Sequence, residues 1–149
     1  MKSVIYLQLF LLFVLFFTAS CTIPEVPSSS ADEVNIVEAA NLRETTQIGI
    51  TQLSTDNSGT YEPVATINDP AEIAQIIETM DTPTALGPVP TCMHQYKITF
   101  QLGDQTAHEF GYFCADGSAF LIGGPPLEEG YAMTAPITFQ IMMEDLVSQ

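Results

Sequence analysis

A chain of 149 residues suggests one domain, and an apolar content of 46% argues against wholesale disorder. Three basic residues face 18 acidic ones, a formal net charge of −15. Such a surface repels phosphate backbones and has no basic patch for anionic lipid, so nucleic acid is a poor partner; cations, basic proteins or a salty medium suit it better, and the charge also serves solubility.

The chain begins with a short, weakly basic Met1-Lys2-Ser3. Val4 to Phe17 follows, nearly all apolar and interrupted by Tyr6 and Gln8. A helix of that length would span about 21 Å, short of the ~30 Å hydrocarbon core. Residues 1–20 therefore read as a signal peptide with this run as its h-region. The alternative is an uncleaved N-terminal anchor, lengthened by Thr18, Ala19 and Ser20.

Ala19-Ser20-Cys21 closes the apolar run with two small residues and a cysteine. This stretch resembles the lipobox of bacterial lipoproteins, although Thr18 stands where Leu is usual and Lys2 is a thin n-region. The resemblance covers about the first 21 residues. It implies cleavage before Cys21, lipidation of that cysteine, and an exported protein anchored by lipid at the cell membrane or outer membrane. Two or three acyl chains hold stably where one does not. Thr22 is not the Asp that often retains this class at an inner membrane. Without Lys2 the mature chain keeps Arg43 and Lys97 against 18 acids, a formal −16.

Residues 21–33 hold Pro24, Pro27, three serines at 28–30, and the acids Glu25, Asp32 and Glu33, with no apolar periodicity. They read as a flexible linker after the lipidated cysteine, long enough when extended to hold a domain up to ~37 Å from a bilayer. A single globular domain is expected over 34–149.

The cysteine count is odd: Cys21, Cys92 and Cys114. Lipidation of Cys21 leaves one pair, and an oxidising compartment favours a Cys92–Cys114 disulfide. It would close a loop of about 22 residues, worth ~3 kcal/mol in the chain-entropy model. A metal site from Cys92, His94, His108 and Cys114 is the alternative, although the spacing matches no zinc pattern. Taken singly, the histidines read as a surface and a core-edge residue.

Within the domain, Val34 to Leu42 fits either an edge strand or a helical turn. Gln47–Leu53 and Val64–Ile67 read as strands, separated by a turn at Thr55–Thr60. Asp69 can cap a helix beginning at Pro70, with Glu72 in its first turn. Ile73, Ile76, Ile77 and Met80 form its apolar face, and Thr82-Pro83 ends it. A loop is expected from there to Pro90.

Gln95–Leu102 alternates, with Tyr96, Ile98, Phe100 and Leu102 on one side. A three-residue turn at 103–105 pairs Phe100 with His108, Ile98 with Phe110 and Tyr96 with Tyr112. A two-residue turn would split the apolar faces. A second turn at Asp116-Gly117 pairs Tyr112 with Leu121 and Cys114 with Ala119. Phe113, Phe120 and Ile122 then fall on the opposite face, so Thr106–Cys114 should be an interior strand covered on both sides, by a helix on at least one. A loop is expected from Gly123 to Ala135, and a last helix over Pro136–Val147 with Phe139, Met142, Met143 and Leu146 as its stripe.

These elements predict an α+β domain: an antiparallel sheet of four to five strands with two helices packed on it. No nucleotide loop, HExxH, CxxC or G-x-S-x-G is present. Carboxylates such as Glu109 and Asp116 carry no mark of a catalytic pair. No cofactor is called for. The expected function is that of a membrane-tethered, non-enzymatic binding module of the cell envelope, with an envelope protein or surface component as partner. A solute- or cation-binding sensor or carrier is the alternative, and a small hydrolase or inhibitor the second.

Overall fold

The structure is a computed structural model and describes residues 33–148 apart from 57, 115–118 and 128–129. The expected signal peptide, Cys21, the linker as far as Asp32 and the Asp116-Gly117 turn lie outside the described residues. Eight strands form one antiparallel sheet: β1 (Glu33–Val34), β2 (Thr45–Leu53), β3 (Tyr61–Ile67), β4 (Thr84–Pro88), β5 (His94–Leu102), β6 (Ala107–Cys114), β7 (Phe120–Ile122) and β8 (Tyr131–Thr134), in spatial order β1-β4-β8-β7-β6-β5-β2-β3. The helices are α1 (Ile36–Ala39), α2 (Pro70–Met80) and α3 (Ile137–Val147), with a 3-10 turn at Leu42–Glu44.

Alternation along the two longest strands sets the layers. Ile98, Phe100 and Leu102 of β5 are buried, and Ile50 and Ile48 of β2 stand opposite Ile98 and Phe100. On the other flank Phe110 and Tyr112 of β6 face Ile98 and Tyr96, and Tyr112 faces Leu121 of β7. The pairings of β6 with β5 and β7 are those that the apolar match predicts. A one-residue slip would move every one of these rings and aliphatic chains to the opposite face, each full burial being worth about 1.5–3 kcal/mol. The Phe100 and Phe110 rings meet edge-on at 5.8 Å, a favoured aromatic geometry.

The helices cover this inner face. Asp69 caps α2 by accepting from the N–H groups of Ala71 and Glu72 at 2.9 and 3.0 Å. Pro70 begins the helix, where its missing N–H costs nothing. Ile73, Ile76, Ile77 and Met80 join the core, and the helix ends at Met80 as expected. Helix α3 begins one residue after Pro136, with no side-chain cap. Its Phe139 and Met143 are buried, while Met142 and Leu146 are half-buried. Phe139 packs edge-on against Tyr112 at 5.5 Å, and the Thr138 hydroxyl donates to the carbonyl of Thr79, tying α3 to α2.

The sheet is larger than the four to five strands expected. The added strands are β1, β4 and β8, all short. The loop expected up to Pro90 contains β4, and that expected from Gly123 to Ala135 contains β8. The ambiguous stretch from Val34 resolves into both alternatives, with β1 followed by α1, whose start is capped by Asn35 accepting from Val37 and Glu38. Strand β6 is interior as predicted, between β5 and β7. Its second face, however, borders an open groove, and no helix among the described residues lines that groove. One end of the sheet is the two-residue β1; the other is β3, which carries Pro63, where the β2–β3 ladder shifts register between Ile50 and Thr51.

Candidate functional site

The outer face of the sheet, away from the helices, carries a groove of about 680 Å³. Its positions follow from strand register. Thr51 of β2 stands opposite Lys97 of β5, Lys97 opposite Gly111 of β6, Gly111 opposite Ile122 of β7, and Ile122 opposite Ala132 of β8. Lys97 and Gly111 lie between inward-facing neighbours, so alternation turns them outward. Tyr61, His94, Lys97 and Glu109 line one side; Val89, Leu127 and Tyr131 contribute to the other.

The first four make one interlocked cluster. The Lys97 ammonium bonds the Glu109 carboxylate at 2.7 Å and lies 4.8 Å from the centre of the Tyr61 ring. Tyr61 stacks on His94, with ring centres 5.8 Å apart and planes 24° from parallel. Its hydroxyl donates to the His94 carbonyl at 2.9 Å. The ammonium is thus fixed by charge and by the electron-rich ring face together.

His94 belongs by parity with Tyr96 on the inner face, yet its ring lies across Gly111. The β5–β6 ladder skips the Gln95–Phe113 position, and Phe113 has a φ of 64°, which interrupts the alternation at this end of the hairpin. A Cβ on Gly111 would fall 2.7 Å from the His94 ring; glycine is what allows the imidazole to lie there. Gly124 is similarly placed, with a φ of 69° and a hypothetical Cβ 2.6 Å from the Phe110 ring. That bare backbone lets the Gly123-Gly124 turn close on the sheet.

Burial pushes the His94 imidazole below its usual value, and the Lys97 charge adds to this while Glu109 opposes it. The imidazole is accordingly neutral at pH 7. Burial also pushes the Tyr61 phenol up, with Lys97 opposing. The groove therefore presents a neutral imidazole, phenol rings and an internally balanced ion pair on a chain that is otherwise strongly acidic. Tyr131, 52% exposed, and Val89, 39% exposed, keep open apolar surface at its rim.

A second cleft, of about 630 Å³, lies between α2 and the start of β2. There the Arg43 guanidinium pairs with Asp81, which also accepts from Asn35 at 2.8 Å. The Asn35 hydrogen bond, aided by Arg43, holds the Asp81 carboxyl below the usual carboxylate range. This links the cap of α1 to the end of α2 and reads as structural.

The residues singled out from sequence are distributed differently. His94 stands opposite Cys114, whereas His108 stands opposite Phe100. Those positions are six residues apart along β5, roughly 20 Å at strand rise, so the hairpin does not bring the two histidines together. Among the described residues no group of three or more His, Cys, Asp or Glu is placed to hold a metal ion. Cys92 is disulfide-bonded, and the side chain of Cys114 lies outside the described residues. Glu109 is paired with Lys97, and Asp116 lies outside the described residues.

Sequence reasoning did not assemble Tyr61, Lys97, Glu109 and Tyr131. Part of the signal was present: the hairpin register that pairs Ile98 with Phe110 sets Lys97 diagonal to Glu109 on the other face. Tyr61 and Tyr131 come from strands whose neighbours the sequence does not disclose. No helix among the described residues is long and apolar enough to cross a membrane. The chain matches no protein-family model, no curated protein and no solved structure.

Proposed function

We propose that this chain is an exported lipoprotein, anchored through lipid on Cys21, whose globular domain is a non-enzymatic binding module of the cell envelope. The outer-face groove is its recognition surface. The observation that carries this reading is the Tyr61–His94–Lys97–Glu109 cluster: its polar groups are already oriented by one another, beside the exposed Tyr131 and Val89. Groups held in place before binding lose little freedom on contact, which favours recognition. The partner is an envelope protein or a surface component.

A second reading, a solute-binding sensor or carrier, is favoured by the size of the groove, which falls within the range of small-molecule sites.

The test is photo-crosslinking in intact cells from a reactive residue introduced at Val89, on the full chain. A discrete partner band is expected, lost in Lys97→Gln and Tyr131→Ala and unchanged in the distant Glu38→Gln. Cys21→Ala should release the domain or leave an unprocessed precursor. Bands indifferent to the groove substitutions, or mature membrane-bound protein with an unmodified Cys21, would overturn the proposal.

A further inference from the structure

The irregularity beside His94 has a second product, on the inner face. Gln95 and Phe113 occupy the position that the β5–β6 ladder skips. Strict alternation would turn both outward, beside Lys97 and Gly111. Instead they line an inner-face cleft together with the facing pair Tyr96 and Tyr112. Phe113 does so with a φ of 64°, a conformation uncommon outside glycine. Across from these four, α3 contributes Gln140, Met143, Glu144 and Val147, one stripe at helical spacing. The cleft holds about 110 Å³, below the ~300–1,000 Å³ of sites for drug-sized molecules. Its size suits a compact head group.

Three aromatic rings line this cleft. The Tyr112 ring centre is 6.3 Å from that of Tyr96 and 6.0 Å from that of Phe113, with planes inclined by 38° and 48°. The charged residue among the lining is Glu144. Burial, then Glu144 and Tyr96, push the Tyr112 phenol up to about 12, so it stays protonated and adds no charge. Among the described residues Arg43 and Lys97 line other clefts, paired with Asp81 and Glu109. Aromatic rings beside a carboxylate, with no lysine or arginine at the cleft, select a cation. A primary ammonium would need several acceptors in place of its water. A methylated ammonium has fewer N–H groups to satisfy, or none, and sheds water at less cost. A phosphate joined to the head, as in a lipid, would be set near Glu144 and repelled.

We propose that the cleft between α3 and the end of the β5–β6 hairpin binds a soluble methylated ammonium compound. Its head group lies against Tyr96, Tyr112 and Phe113, with its charge beside Glu144. The cleft shares no lining residue with the outer-face groove, so neither site depends on the other. Attraction of the cation to the ring faces joins Coulomb attraction to the carboxylate, the pattern of quaternary-ammonium recognition.

Choline is the probe, and the control is the neutral alcohol in which carbon replaces its nitrogen. Binding to the full chain is read from the methyl proton resonance of each ligand, which nearby aromatic rings displace. Choline should shift saturably and bind about tenfold tighter than the alcohol. Because any cation is drawn to a chain of this charge, the variants decide. Glu144→Gln should weaken choline binding several-fold more than Glu38→Gln, which lies outside the cleft. Glu144 is exposed, so the thermal midpoint should stay put. Tyr96→Leu should weaken choline about tenfold and the alcohol far less, because leucine keeps the apolar contact and loses the ring. Lys97→Gln, in the outer-face groove, should leave choline binding unchanged. Equal affinities for choline and the alcohol would overturn the proposal, as would the lack of a saturable shift. So would equal losses in the two carboxylate variants. Glycerophosphocholine bound as tightly as choline would overturn it too, by assigning the cleft to a lipid head group.

Discussion

At the scale of the residue, His94 shows how a local irregularity becomes a property. Its imidazole is carried across Gly111, half-buried, and left near Lys97, so its folded pKa is lowered from the usual 6.5. Only the unfolded chain holds that proton in the interval between the two values. Stability contributed by neutral His94 is present above about pH 6.5 and is lost as pH falls through the folded pKa. The groups facing the ring are Tyr61, Lys97 and Glu109; burial is the main cause of the downward shift, Lys97 adds to it and Glu109 opposes it. Denaturation midpoints recorded against pH should fall below pH 6.5, and more shallowly in His94→Gln. Gly111→Ala should drive the imidazole away from the strand, since a Cβ has no room there. His94 should then titrate closer to 6.5 by NMR. Parallel midpoint curves for parent and His94→Gln, or an unmoved titration in Gly111→Ala, would contradict this account.

At the scale of the element, burial and capping give a ranking. Phe110 is fully buried in an interior strand and touches Phe100; Phe110→Asp should cost several kcal/mol, on the order of 3 or more, because a carboxylate would enter the core without a partner. Asp56 sits in an exposed turn, where it accepts from the Ser58 N–H at 2.9 Å, and Asp56→Ala should shift the denaturation midpoint far less. The reverse order would mean that the β5–β6 register is misassigned. What was legible in the sequence follows the same division. Helix α2 announces itself through Asp69, Pro70 and one apolar stripe, and β5 and β6 through alternation and matched apolar lengths. Strand β4, by contrast, contains Gly87 and Pro88, which read locally as loop; its place comes from β8 and β1 on either side. Strand β8 has four residues, too few for a period to show, and β1 has two. Pairing over long sequence distance defines these strands, and a single chain read locally carries no trace of it. The groove cluster suffered the same fate, because Tyr61 reaches His94 only once β3, β2 and β5 lie side by side.

At the scale of the whole molecule, the cysteines and the sheet edges matter most. The β5–β6 register sets His94 opposite Cys114, two residues from the disulfide-bonded Cys92. With Cys21 lipidated, as proposed, Cys114 is the partner left. Peptide mapping without reduction should recover the Cys92 and Cys114 peptides linked. Two free thiols in freshly isolated protein, or one equivalent of bound zinc, would refute the pairing. The edges bear on what happens when many copies share one surface. Among the described residues β1 offers two for pairing, and β3 places Pro63, which has no N–H to donate, beside the register shift opposite Ile50 and Thr51. A neighbouring chain seeking to extend the sheet meets a stub on one side and an interrupted ladder on the other. Under the proposed lipid anchor, copies would collide often and in similar orientations, and a long open edge would seed polymer growth across the membrane. Edges of this kind would give a growing fibre little to start from and would leave each groove available.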